Sequence, residues 1–159
     1  MEEPAHRMPL KRALDARSPR RVTPRYILDK QVGFQLRKAH QRHTAIFTAG
    51  VQGQIPPSQL AVLAKLAEIG PMSQNELGRL TAMDSATIKG VVDRLVARGY
   101  LAVDTSRRDT RLRVTDLTPA GRAFLESMIP VARRITADTL APLTADERRT
   151  FLRLLKKLG

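Results

Sequence analysis

Between Asp84 and Leu117 the apolar positions change their spacing once, and that change restricts the possible folds more than any other feature of the chain. Ile88, Val91, Val92, Leu95 and Val96 recur every three or four residues, the period of a helix with one buried face, and the pattern stops at Gly99. Beyond it Leu101 and Val103 alternate, a charged stretch follows, and Leu112 and Val114 alternate again before Leu117. Period two on both sides of a polar segment predicts two strands of a hairpin with its tip near Arg108, Asp109 and Thr110.

The flanking sequence supplies helices only. From Tyr26 the residues Leu28, Val32, Leu36, Ala39, His43, Ile46 and Gly50 mark one face of a long helix, ended by Gly53, Pro56 and Pro57. A second helix starts at the prolines, turns Leu60, Leu63, Leu66 and Ala67 inward and stops at Gly70-Pro71. Ser73 and Glu76 form a capping box for a short helix with Leu77 and Leu80 on its apolar side, and Asp84 caps the next. After the hairpin, Thr118-Pro119 opens a helix burying Ala123, Phe124, Met128 and Val131, with a kink expected at Pro130. Thr144 and Glu147 make another capping box before Phe151, Leu154, Leu155 and Leu158. The expected fold is mostly α with a small β-hairpin.

Two short helices joined by Thr81-Ala82-Met83 and followed by a hairpin have the order of a helix-turn-helix with a wing. Off the apolar stripe, the second helix carries Ser85, Ala86, Thr87, Lys89 and Arg94. Small residues at its start admit close approach to base edges in a major groove; the hydroxyls and Lys89 can bond bases or phosphates, and a helix N-terminus favours an anion. Ser73 and Gln74, opening the bracing helix, complete this surface. At the hairpin tip Arg107, Arg108 and Arg111 suit a minor groove. Asp109 would repel phosphate, but two residues from Arg111 it can hold that guanidinium in place. The competing reading of the helix is an ordinary amphipathic element with a polar outer face.

Charge agrees without deciding. Lys and Arg number 28 against 15 Asp and Glu, a formal net charge of +13, and the excess is spread along the chain instead of gathered in a tail. A polyanionic partner or a solvated basic surface both fit. Residues 1–25 read as a flexible basic arm. With no cysteine, thiol catalysis, disulfides and cysteine metal sites are excluded. No phosphate-cradling glycine loop or serine nucleophile elbow appears, so an enzyme is not expected. Nor is a membrane span or secretory signal; the expected location is the cytoplasm.

The block "DSATIKGVVDRLVARGYLAVDTSRRDTRLRVTDLTPAGRAFL" resembles the MarR family of winged-helix repressors, and the likeness extends over about Tyr26 to Leu158. Asp109 and Arg111 match the family's D-x-R at the wing tip; Leu117, Thr118 and Gly121 match its L-T-x-x-G after the wing. The resemblance implies a winged-helix DNA-binding lobe over residues 56–117 and dimerisation helices over 26–52 and 118–159. It implies a homodimer on a pseudo-palindromic operator in double-stranded DNA, released when a small effector, often an aromatic acid, enters a cleft. No other cofactor is expected. The surplus of apolar positions, Leu140, Leu143, Phe151, Leu154, Leu155 and Leu158 with the face of residues 28–50, points separately to a partner. Two-fold symmetry would set recognition helices about 34–36 Å apart.

For the effector, Arg37, His40, Thr44 and Phe47 share a helical face, with Phe34 a second stacking ring. Arg37 could pair with a carboxylate and His40 with a ring substituent. Alternatively Arg37 is a surface charge and the histidines lie in a dimer seam. His40 and His43 without a neighbouring carboxylate make an incomplete metal site, and no metal is expected. The rival functions are sequence-indifferent architectural DNA binding and metal-responsive regulation.

Overall fold

The structure, a computed structural model, describes residues 26–105 and 113–158. The expected arm at residues 1–25 and the tip residues Arg107, Arg108, Asp109 and Arg111 lie outside the described residues. Contacts divide the chain into two units, Met1–Leu36 and Arg37–Gly159. In the first, Leu28–Lys30 form a single 3-10 turn and Gln31 is extended (φ −87°, ψ 127°). Helix α1 therefore starts at Val32, later than the spacing from Tyr26 suggested, and runs to Val51. The extended residue breaks the hydrogen-bond ladder, so Leu28 is not part of the long helix. Leu28, Val32 and Leu36 are exposed.

The second unit contains α2 (Pro57–Ile69), α3 (Gln74–Leu80), α4 (Ser85–Ala97), β1 (Leu101–Thr105), β2 (Arg113–Leu117), α5 (Pro119–Thr139) and α6 (Ala145–Leu155). The order is the expected one: a winged helix-turn-helix, mostly α, with one antiparallel hairpin in register from Leu101–Leu117 to Thr105–Arg113. No helix among the described residues is long and apolar enough to cross a membrane.

One core joins these elements. Leu63 and Leu66 of α2, Leu77 of α3, and Ile88, Val91, Val92 and Leu95 of α4 are buried with Leu101, Leu117, Leu125, Met128 and Ile135. Ala67, Val96 and Ala123, expected inside, are exposed, and on α2 Val62 is buried. α2 packs on α3, α4 and α5 as well as β2, which rotates its buried face away from the simplest stripe. Leu80 is likewise exposed, and α5 continues through Pro130 to Thr139.

The caps hold in most places. Thr144 and Glu147 form the full reciprocal box; Ser73 accepts from Glu76 N–H at 3.2 Å, while the Glu76 carboxylate meets Arg79. A pairing without sequence warning joins Met72 to Thr115 by two backbone hydrogen bonds of 2.8 and 3.3 Å. It ties the residue before the Ser73 cap to the middle of β2, so the bracing helix and the wing are fixed to each other. Ala82, in the turn between α3 and α4, has a left-handed backbone at φ 54°.

Helix α6 buries nothing among the described residues: Phe151, Leu152, Leu154 and Leu155 are all exposed. Leu140, by contrast, is buried in the chain's own core region, so it drops out of the surplus counted from sequence.

Candidate DNA-facing surface and cleft

Helix α4 is held at both ends by local chemistry. At its start the Asp84 carboxylate accepts the Thr87 N–H at 2.7 Å. Bonds from the Thr87 backbone and hydroxyl, and from the Ala86 N–H, hold that carboxyl below the usual range. The first-turn N–H groups at Ala86 and Thr87 thus already have an acceptor within the chain. At its end Gly99, at φ 73°, bonds Val96 O while Tyr100 N–H bonds Leu95 O, a Schellman closure that turns the chain sharply into β1.

Between these ends Ser85, Ala86, Thr87, Lys89 and Arg94 are all exposed. Lys89 pairs with Asp93 at 2.6 Å on the same face. Exposed i,i+4 pairs are weak, about 0.3–0.5 kcal/mol, so a phosphate can exchange for Asp93 at little cost. Arg94 lies across Gly90, its Nη1 3.3 Å from where a Cβ there would stand. Ser73 and Gln74 are half-buried. The strands rising from α4 carry Asp104 and Arg113, both exposed, towards the tip residues outside the described set.

The residues named for the effector are less of a group. Phe34 is half-buried in the first unit. In the second, Arg37, His40 and Thr44 are exposed on α1, whereas Phe47, 7% exposed, is a core residue facing His43. Phe47 is therefore part of the hydrophobic core, its ring centroid 6.3 Å from that of His43. His43 is engaged too, its Nδ1 3.0 Å from the Thr139 hydroxyl, beside Arg42 donating to the Asp138 and Thr139 carbonyls at the end of α5.

A cleft lies elsewhere, between α2 and α5. It holds about 340 Å³ and is lined by Leu60, Ala64, Leu125, Met128, Ile129, Ala132, Arg133 and Thr136. Two alanines facing across leave the space, the leucines and methionine make it apolar, and Arg133 with Thr136, one turn apart, supplies its polar side. Spacing on α1 drew attention from these residues; the available signal was an Arg and a Thr at i,i+3 beside Ala132 on an otherwise apolar helix face.

Comparison with known proteins agrees with this geometry. The MarR family profile matches residues 54–112, from the approach to α2 past β1, ending just before β2. The HTH-type transcriptional repressor NicR of Pseudomonas putida is 42% identical over 149 residues, covering 93% of this chain and 94% of the relative. A crystal structure of a probable transcriptional regulator from Pseudomonas aeruginosa superposes with a TM-score of 0.80 at 48% identity, over 84% of this chain and all of the other. BpsR of Bordetella bronchiseptica, whose DNA binding is regulated by 6-hydroxynicotinic acid, gives a TM-score of 0.80 at 40% identity, over 84% and 96%. Identity of this extent along nearly the whole of both chains settles descent: the protein belongs to the MarR family and is a transcriptional repressor of the MarR type.

Proposed function

We propose that the protein is a cytoplasmic, effector-responsive repressor that binds a pseudo-palindromic operator as a homodimer and leaves it when a small hydroxylated aromatic acid enters the cleft between α2 and α5. The cleft carries this reading. Its 340 Å³ lies near the lower end of ligand pockets, about 300–1,000 Å³, the size for a one-ring compound. Its apolar walls suit the ring, and Arg133 with Thr136 suits a carboxylate. The likeness to BpsR supports 6-hydroxynicotinic acid as the first compound of this class to try. Arg37, His40 and Thr44, exposed on α1, are the further polar groups proposed for the effector's substituents.

On DNA, α4 enters the major groove with Ser85, Ala86, Thr87, Lys89 and Arg94, braced by Ser73 and Gln74, while the wing takes Arg107, Arg108, Asp109 and Arg111 to the minor groove. The dimer is supported by α6, whose apolar residues are left uncovered by the other described residues. A two-fold pair of lobes needs two half-sites, which separates this reading from architectural binding. Footprinting on DNA flanking the gene, followed by gel shift with 6-hydroxynicotinic acid, tests it. A protected inverted repeat released by the compound is expected; protection without a repeat, or no release by any hydroxylated aromatic acid, refutes the corresponding part.

A further inference from the structure

Both walls of the cleft lead, one residue beyond their lining, to the same arginine. On α2, Gln59 precedes the lining residue Leu60; on α5, Phe124 precedes Leu125. Gln59 is a polar side chain only 5% exposed, and its Oε1 accepts from Arg98 Nη1 at 3.1 Å. Arg98 Nη2 donates to the Gln54 carbonyl at 3.0 Å, in the segment leading into α2. On its other side the guanidinium lies 4.8 Å from the Tyr100 ring centroid and 5.6 Å from that of Phe124, two rings stacked at 4.6 Å. Arg98 is also the C-cap residue of α4.

The two attachments differ in kind. The start of α5 is fixed to the segment leaving α4 by a backbone bond, Thr118 N–H to Tyr100 O at 3.0 Å, and by the short Thr118 hydroxyl, which donates to Gly99 O at 2.6 Å. At this junction those two elements move together. At the same junction α2 is joined to the end of α4 by the side chain of Arg98, and a side-chain fork can be made or broken as a unit. A ring wedged between α2 and α5 would displace Gln59 relative to Phe124, and Arg98 cannot keep both its amide partner and its aromatic seat.

We infer that Arg98 is the positioning residue that couples the cleft to the DNA-facing helix, reporting the α2–α5 separation to the C-terminal end of α4 and, through Tyr100, to the start of the wing. Its use by an effector rests on the proposed function; the mechanical coupling does not. Such a claim requires a two-state element that both sites bias: the bridged Arg98 is the state seen here, and the inference adds an unbridged one.

A double-mutant cycle tests this without a ligand. Ala64→Phe fills the cleft from α2, and operator affinity is read by fluorescence anisotropy on the footprinted duplex. The filler should weaken binding about tenfold with Arg98 present, within the usual range of site-to-site coupling, and less than about twofold in Arg98→Met, which keeps the stem and loses the donors. Gln59→Leu should abolish the coupling in the same way and Gln59→Glu, which keeps the acceptor, should preserve it; this pair carries the test if circular dichroism shows Arg98→Met unfolded. An equal effect of the filler in all backgrounds, zero included, overturns the inference. Thermal shift of the unmutated protein with 6-hydroxynicotinic acid and other hydroxylated aromatic acids is scored separately: no binding by any of them refutes the effector reading and leaves the cycle standing.

Discussion

A Cβ on Gly121 would stand 2.1 Å from the carbonyl oxygen of Tyr100. The first turn of α5 lies directly against the backbone that leaves α4, and only a residue without a side chain allows that approach. The neighbouring Thr118 uses its hydroxyl twice, accepting from Gly121 N–H at 3.0 Å and donating to Gly99 O. The L-T-x-x-G sequence is thus a joint between two helices.

Gly121→Ala should therefore destabilise the protein by at least the 1–3 kcal/mol typical of overpacking, because the clash is with backbone and cannot be relieved by a rotamer. Thr118→Ala, which opens a cap without a clash, should cost about 1 kcal/mol. Urea denaturation of both variants checks the order; equal costs would mean that the close approach relaxes freely.

Sequence pattern made this joint visible as a motif, and its physical basis appeared only with the neighbour in place. The same holds elsewhere. The period change at Gly99 read correctly because helix and strand periodicities are local properties of the chain. The Met72–Thr115 pairing had no signal, since a single bridge has no period, and the Arg98 contacts join residues 39 and 44 positions apart. The burial of Phe47 was not legible, because a helical face shared with Arg37 and His40 says nothing of which neighbour covers it.

Ala82 predicts a gain. An L-residue in the left-handed region costs roughly 1–2 kcal/mol, and Ala82 sits there at φ 54° with no side-chain reason to do so. Glycine relieves that strain but frees the unfolded chain, which returns part of the benefit. Ala82→Gly should raise stability by up to about 1 kcal/mol by urea midpoint, and a loss would show that the turn is not strained.

Acid should loosen the helix caps. The Asp84 and Glu147 carboxyls are both lowered, chiefly by backbone hydrogen bonds at Thr87 and Thr144. A group lowered on folding stabilises above its unfolded value, about 3.9 for Asp and 4.3 for Glu, and that contribution is lost as pH falls through the folded value. The urea midpoint should therefore drop below about pH 4, and the combined Asp84→Asn and Glu147→Gln variant should show a shallower drop; an identical acid profile would reject the caps as its source.

Helix α6 should carry the assembly. Leu154 and Leu155 are 47% and 41% exposed in the chain, and a charge there would have to be buried against a partner. Leu155→Asp should give a folded monomer by light scattering with sharply reduced operator binding. A dimer of unchanged mass would move the interface elsewhere.

The wing and the effector groups can be separated by what each variant loses. Arg111→Ala should cost operator affinity by about 1–3 kcal/mol if it contacts bases, and Asp109→Ala should also weaken binding although it raises the net charge, because an arginine left unoriented loses more freedom on binding. Arg133→Met, by contrast, should leave operator affinity intact and abolish release by an aromatic acid, since it removes the charge and keeps the stem that lines the cleft. Arg37→Ala and His40→Ala, on α1, should do the same to release. Gel shift with and without 6-hydroxynicotinic acid reads all five: tighter specific binding in Asp109→Ala rejects the orienting role, and normal release in Arg133→Met moves the carboxylate contact from α5 to Arg37.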